Sequence, residues 1–301
     1  GYKVYLGGTV AQGDGRGVQI VPPFDAEIAA AIEAAPPADE VPMSDDLIEA
    51  VDPREEYVAC ASALAWGEAS TRENLRIVLT AMHGVGAAIT SRVLAEAGFS
   101  DVSLVAAQAD PDPDFPTVPF PNPEEAGALD MAIEQAREQG ADLIIAVDPD
   151  ADRCALAVPD PTSETGWRPL SGDQIGSLLG EFLASRGMKG SLANSIVSSR
   201  LLSRIARAHG LEHHTTLTGF KWITRAPGLG FGYEEAIGFC PDPAHVRDKD
   251  GIATSVVAAS LVAALKAQGR SVWDELERLA RLHGLHVSSP LTFRVEEIEQ
   301  I

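Results

Sequence analysis

Apolar positions in the first seventy residues fall in short, interrupted groups. Tyr2–Leu6 alternates apolar and polar side chains as a half-buried strand does, Gly13–Gly17 reads as a flexible tip, and Val18–Val21 returns as a second strand that Pro22-Pro23 stops. Helices are predicted over Ala26–Ala35 and Glu55–Ala65, joined by the proline- and acid-rich segment 35–53, which suits a solvated connection. From Leu75 the pattern changes. Leu75–Ala81 is almost continuously apolar, His83-Gly84-Val85-Gly86 makes a tight turn, and Ala87–Ala97 has helical spacing up to Gly98. A strand at Val102–Ala106 leads into a loop with six prolines between Pro111 and Pro123, then a helix predicted over Glu124–Gln139, with Asn122 as cap and Gly140 at its end. Asp142–Val147 is again a buried strand. Beyond the turn-rich segment 160–172 the alternation repeats. A helix capped by Asp173 runs to Ser185, followed by a strand at Leu192–Val197, a helix at Arg200–His209, a strand at His213–Leu217 and a Gly-rich strand and loop at Gly228–Ala236. Two helices, Ile252–Ala267 and Val272–Leu282, precede a strand starting at Val287. Strands apolar on both faces that alternate with helices indicate an α/β fold, a parallel sheet covered on each side. Boundaries fall near 70, 163 and 288.

Composition changes this picture in three ways. With 45% hydrophobic and 22% charged residues over 301 positions, the chain can bury real cores, so disorder is excluded. Its 23 Lys+Arg against 44 Asp+Glu give a net charge of −21, which opposes binding to nucleic acid or to an anionic membrane, and no basic patch overrides it. The longest apolar stretch, Val256–Leu265, is far short of the ~20 residues of a membrane helix. Cys60, Cys154 and Cys240 cannot all pair and lack CxxC spacing, so a cytoplasmic, reducing location is expected. The chain opens in mid-pattern on Gly1-Tyr2-Lys3, without Met or signal peptide, and is expected to be part of something longer.

The strongest chemical signal is Asp148-Pro149-Asp150-Ala151-Asp152-Arg153 at the end of a buried strand, where open α/β sheets bind ligands. Three carboxylates at alternate positions can converge on one hard cation, with Mg²⁺ the best candidate; an EF-hand is excluded because its sixth position would be Arg153 and its twelfth Pro159. A solvated acidic turn is the alternative. Glu234 and Glu235, between Gly232 and Gly238, can accept hydrogen bonds from vicinal sugar hydroxyls or form a charged hairpin tip. Lys221 sits among Phe220 and Trp222, where burial would depress its pKa toward a value useful for proton transfer, or where its stem snorkels past the rings. Arg247 and Lys249 open a helix and can bind a phosphate, while Asp250 can cap it.

In this order the motifs resemble the α-D-phosphohexomutases, the phosphoglucomutase/phosphomannomutase family. Asp148–Arg153 matches the Asp-x-Asp-x-Asp-Arg signature, and Thr218–Trp222, Gly232–Gly238 and Val246–Gly251 follow as in that family. The resemblance covers essentially the whole chain. It implies consecutive three-layer α/β/α domains with mixed, largely parallel sheets: residues 1–70 the remainder of domain 1, 71–163 domain 2 with the metal loop, 164–288 domain 3 with the sugar loop, and 289–301 a connection to a fourth domain. It implies a phosphosugar mutase that moves phosphate reversibly between the 1- and 6-positions of a hexose, with glucose 1-phosphate and glucose 6-phosphate as the first candidates, through an enzyme phosphoserine and a glucose 1,6-bisphosphate-type intermediate. Asp148, Asp150 and Asp152 would hold Mg²⁺, Arg153 would contact phosphate, Glu234 and Glu235 would bind sugar hydroxyls, Lys221 would be general acid or base, and Arg247 and Lys249 would lie near the sugar phosphate. Departures are Pro149 and Ala151 where Gly is common, Ala236 where Ser often contacts sugar, and the lack of a Thr-Ala-Ser-His-Asn-Pro loop, which Thr80-Ala81-Met82-His83 only mimics. As it stands the chain is therefore expected to be inactive. Alternatives are a non-catalytic fragment that binds Mg²⁺ and sugar phosphate, a phosphopentomutase, or a phosphatase with Asp148 as nucleophile.

Overall fold

The computed structural model describes residues 3–11, 13–46, 48–289 and 295. In chain order the first elements are α1 (Phe24–Ala34), α2 (Arg54–Ser62), α3 (Ala69–Glu73), β1 (Arg76–Thr80), α4 (Ala87–Glu96), β2 (Asp101–Leu104), α5 (Asp130–Gln139), β3 (Leu143–Val147), β4 (Cys154–Pro159) and β5 (Trp167–Pro169). They are followed by α6 (Gly172–Ser185), β6 (Ser191–Ser195), α7 (Leu201–Ala208), β7 (His213–Thr216), α8 (Phe220–Ile223), β8 (Leu229–Glu234), β9 (Gly238–Cys240), α9 (Gly251–Ala267) and α10 (Val272–His283).

Two mixed sheets result, ordered β2-β1-β3-β4-β5 and β7-β6-β8-β9. In the first, β1 pairs in parallel with β2 and β3, and the β3–β4 and β4–β5 pairs are antiparallel. In the second, β6 pairs in parallel with β7 and β8, and β8 pairs antiparallel with β9. The four strands of the second sheet thus repeat the plan of the first four strands of the first. In each, the third strand turns back into an antiparallel fourth, and each of these hairpins carries one of the acidic motifs.

Helix α9 joins the halves. It packs against α2, α3, α4, β3 and β4 on one side and α6 and β9 on the other. Thirteen of its seventeen residues are buried, and the Ala- and Ser-rich sequence keeps its surface low enough for close approach all round. One continuous apolar core, from Ile77, Leu79 and Ile145 through Leu179 and Phe231 to Val256 and Val257, accordingly runs through both sheets. Among the described residues no single helix is long and apolar enough to cross a membrane; α9 and α10 together reach that length but bend by 92°.

Several elements differ from expectation. The first hairpin is a single Tyr5–Gln19 bridge flanked by the Leu6 N–H to Val18 O and Ile20 N–H to Val4 O bonds, too short a ladder for strands, and Tyr2 lies outside the described residues. The helix expected from Glu124 begins at Asp130, because Gly127 takes a left-handed φ of +83° and breaks it; Asn122 caps only the turn before, through the Glu124 N–H at 3.0 Å. Ser171, not Asp173, is the N-cap of α6, in a reciprocal capping box with Gln174. Strands β4 and β5 depart from expectation, since six apolar residues after an acidic turn and three residues at Trp167–Pro169 are too short to carry a period. The strand expected through Val197 ends at Ser195, and Ile196 and Val197 are exposed. Residues 284–289 form no regular element, and most of the strand expected from Val287 lies outside the described residues.

Candidate active site

The β3–β4 hairpin brings Asp148, Asp150 and Asp152 together, with one oxygen of each within 4.8 Å of the others. Ala151 holds the turn in a left-handed conformation, φ +59°, an unusual cost for a residue with a Cβ that marks a constrained loop. The loop is packed from outside: Val85 N–H donates to Pro149 O at 2.9 Å, and Gly251 N–H, at the first position of α9, donates to Ala151 O at 3.2 Å. A Cβ on Gly251 would lie 2.2 Å from the Arg153 carbonyl oxygen, so only glycine lets the helix approach this closely.

Electrostatics in the loop are uneven. Burial, reinforced by the charges of Asp152 and Asp150 and only partly offset by the Arg153 N–H at 2.9 Å, pushes the Asp148 carboxyl up to about 7. Burial acts on Asp152 too, but the Lys249 and Lys3 ammoniums, at 2.8 and 2.7 Å from the same Oδ2, outweigh it and hold that carboxyl below the usual range. Lys3 also lies 3.8 Å from Asp248, a buried carboxylate that accepts from the Tyr5 hydroxyl. Burial opposes the Lys3 charge, yet Asp152 and Asp248 together raise its pKa, so it stays an ammonium.

The β8–β9 hairpin carries Glu234 and Glu235. Glu234 is buried at 6% exposure, and its Oε1 sits 3.6 Å from the Arg153 guanidinium. Desolvation raises its pKa against the opposing pull of Arg153 and Lys249. No hydrogen-bond donor among the described residues fills its oxygens. Glu235 has one oxygen filled: Oε2 accepts from Ser195 Oγ at 2.8 Å and Ser198 Oγ at 2.9 Å.

Arg153 joins the two hairpins. Its Nη1 donates to Ala236 O at 2.7 Å, its Nε lies 3.9 Å from Asp148 and 3.8 Å from Asp152, and it bridges Gly238 in antiparallel fashion, next to the Cys154 N–H to Ile237 O bond of 3.1 Å. The triad, Arg153, Glu234 and Lys249 therefore form one contiguous polar surface. Lys221, half-buried on α8, holds its ammonium 5.9 Å from the Trp222 ring centre, with no ion pair among the described residues. Arg247 and Lys249, adjacent charges in the sequence motif, part company. Lys249 turns to Asp152 and the Phe220 ring, whereas Arg247 donates to the carbonyls of Arg16 and Thr224. Asp250 caps α9 through the Ala253 N–H at 2.8 Å and accepts from Tyr57 at 2.7 Å.

Sequence reasoning missed Lys3, Tyr5, Asp248, Ser195, Ser198 and Glu124. Glu124 lies in electrostatic reach of Arg153, Glu235 and Glu234, and partial burial raises its pKa. Lys3 is 149 positions from Asp152, and no local pattern announces such a pairing.

Residues 55–162 match phosphoglucomutase/phosphomannomutase alpha/beta/alpha domain II, and residues 171–282 match domain III of the same family. The whole chain is 45% identical to 61% of a Haemophilus influenzae protein named "Probable phosphomannomutase". It is 31% identical to the human phosphopentomutase over 100% of this chain and 52% of that protein, and 36% identical to the Saccharomyces cerevisiae phosphoribomutase over 85% and 46%. The crystal structure of a Thermus thermophilus protein assigned as a phosphomannomutase superposes with a TM-score of 0.70 at 26% identity, over 86% of this chain and 57% of that one. The chain spans about half to three-fifths of the length of these curated relatives. With matched domains II and III, two mixed sheets built on one plan and the acidic hairpins meeting at Arg153, the chain belongs to the phosphoglucomutase/phosphomannomutase family.

Proposed function

We propose that this chain forms the cation-holding and sugar-holding part of a phosphosugar mutase, which moves phosphate reversibly between the 1- and 6-positions of a hexose, glucose first, through a phosphoserine and a sugar bisphosphate. The observation that carries this reading is the joining of the two hairpins: three convergent carboxylates lie one arginine away from a buried glutamate whose acceptor oxygens are open. The donor set fits Mg²⁺, because oxygen ligands crowd together and the raised Asp148 pKa marks a cluster short of positive charge. Asp148, Asp150 and Asp152 would hold that ion, which would supply charge to offset the transferring phosphoryl group.

The remaining work falls to the chain's own side chains. Arg153 keeps the two hairpins in register and presents its guanidinium between them. Glu234 offers acceptor oxygens to sugar hydroxyls, at a buried place where an unfilled carboxylate favours any donor. Lys3 and Lys249, paired with Asp152 at 2.7 and 2.8 Å, soften the field that a phosphorylated sugar meets. Lys221, without an ion pair among the described residues, is the lysine available to exchange a proton with a sugar hydroxyl. Arg247 would reach a phosphate only by releasing the Arg16 and Thr224 carbonyls. The free thiols Cys60, Cys154 and Cys240 suit a reducing cytosol.

Glucose 1-phosphate, Mg²⁺ and a trace of glucose 1,6-bisphosphate, followed by ³¹P NMR, test this on the chain and on a form lengthened at both ends. Turnover is expected from the lengthened protein and binding alone from the chain. No glucose 6-phosphate from the lengthened protein, or an undiminished rate with Asp150→Asn, refutes the mutase reading. Parallel runs with mannose 1-phosphate and ribose 1-phosphate separate the substrates that the relatives' names suggest.

A further inference from the structure

Glu235 and Glu234 are adjacent acids in one motif, yet their surroundings differ in kind. Glu234 has an arginine at 3.6 Å and no donor on its oxygens among the described residues. The Glu235 carboxylate takes two hydroxyl donors on the single oxygen Oε2, Ser195 at 2.8 Å and Ser198 at 2.9 Å. Its backbone N–H donates in turn to Ser198 Oγ at 3.1 Å, and the two serine oxygens lie 2.8 Å apart. Ser195 and Ser198 are 1% and 9% exposed, so water cannot easily replace either hydroxyl. The arrangement closes on itself: side chain to serines, and serine back to the main chain of the same residue.

The turn that holds these serines is itself fixed from behind. Asn194 donates to Ser199 O at 2.9 Å, and the Ser199 N–H donates to Asp173 Oδ1 at 2.6 Å. Asp173, buried in the first turn of α6, also accepts from the hydroxyl of Tyr233, the residue before Glu234, at 2.9 Å. The end of β6, the start of α6 and the end of β8 are thereby tied at one point, next to the loop.

We propose that Glu235, Ser195 and Ser198 form a clasp of positioning residues that sets the 234–238 loop, so that Glu235 acts on the sugar through the placement of Glu234 rather than by touching it. This rests on reading 234–238 as the sugar loop. With one oxygen saturated and its backbone tied down, Glu235 serves as an anchor whose useful property is acceptance of two hydrogen bonds, not its charge. A glutamine, which keeps one acceptor oxygen, therefore does the same work.

The test uses the chain itself with Ser195→Ala/Ser198→Ala, Ser198→Ala alone, Glu235→Gln, Glu235→Ala and Glu234→Gln, each checked for a native melting transition. Hydrogen–deuterium exchange of the 235–238 amides should quicken by about tenfold in the double serine variant, with a smaller rise for Ser198→Ala, and stay within about threefold of the parent in Glu235→Gln. Calorimetric titration with glucose 1-phosphate and MgCl₂ should show affinity about tenfold weaker in the double serine variant, retained in Glu235→Gln and lost in Glu234→Gln. Unchanged exchange in the double variant, or a loop opened as far by Glu235→Gln as by Glu235→Ala, overturns the clasp. So does sugar affinity lost in Glu235→Gln with exchange still at the parent rate, which would make Glu235 a direct ligand. If the parent chain binds no sugar phosphate, the sugar-loop reading fails, while the exchange rates still decide the clasp.

Discussion

Replacement of Gly251 by alanine should weaken both the fold and the proposed cation site, against the sign that helix propensity alone predicts. Ala is favoured over Gly inside a helix by up to about 1 kcal/mol, so an unobstructed first-turn position would gain stability. Here the new Cβ would lie 2.2 Å from Arg153 O, 2.7 Å from its carbonyl carbon and 2.8 Å from Ala151 O. Ordinary carbon–oxygen contacts are about 3.3 Å, so either α9 or the hairpin backbone must retreat by about 1 Å. Overpacking of this kind costs about 1–3 kcal/mol, which outweighs the propensity gain. The retreat falls on Ala151 and Arg153, which flank Asp152, whereas cation sites tolerate only about 0.2 Å of ligand displacement. Urea denaturation should show a lower midpoint, and calorimetric titration with Mg²⁺ a dissociation constant raised by about tenfold or more, equivalent to about 1.4 kcal/mol. An alanine variant as stable as the parent, with undiminished cation affinity, would refute the packing argument.

The second hairpin has its own version of this contact: a Cβ on Gly172, the first residue of α6, would lie 1.9 Å from Glu235 O. Gly172→Ala should accordingly weaken glucose 1-phosphate binding by about tenfold while leaving the Mg²⁺ titration nearly as it was, the reverse of the Gly251 outcome. Asp173→Ala removes the acceptor of the Ser199 N–H and Tyr233 OH bonds and should cost about 2–4 kcal/mol, read as a lower urea midpoint. On α10, burial works against the Glu275 charge, but Arg278 and Arg270 outweigh it and hold its pKa below 4.5. A lowered folded-state pKa gives stability that is complete above the unfolded value and lost as pH falls through the folded one. Acid should thus loosen α10 below about pH 4.5, visible in the fluorescence of Trp273, whose indole donates to Pro159 O at 2.9 Å, and Glu275→Gln should flatten that response.

How much of this could be read from the sequence follows from the range of the interactions. The first acidic hairpin was legible because its three acids are close neighbours at the end of Leu143–Val147, a strand apolar on both faces. The helices were legible where apolar spacing and stop signals agreed, as at Gly140 after α5, and misjudged where a turn imitated a cap, as at Asn122. What stayed hidden is what the chain assembles across distance. Lys3 meets Asp152 and Tyr5 meets Asp248 through separations of 149 and 243 residues, and nothing near Lys3 distinguishes it from any strand lysine. Ser195, inside the strand expected at 192–197, and Ser198, just beyond it, carry no signal of their own until Glu235 arrives from the β8–β9 hairpin. The parting of Arg247 and Lys249 likewise depends on where the Gly13–Gly17 tip and the Asp152 carboxylate sit, not on the motif that contains both.

Because α9 follows nearly all of the second half in the chain yet completes the packing of the first, β1–β5 cannot seal themselves as they emerge during synthesis. The groove between α2, α3 and α4 stays oily until residues 251–267 arrive, about 90 residues after β4. Such late, long-range closure predicts slow assembly and a single cooperative melting event for both halves. Residues 55–162 produced by themselves should clump rather than fold, and a peptide of α9 supplied in trans should rescue their solubility.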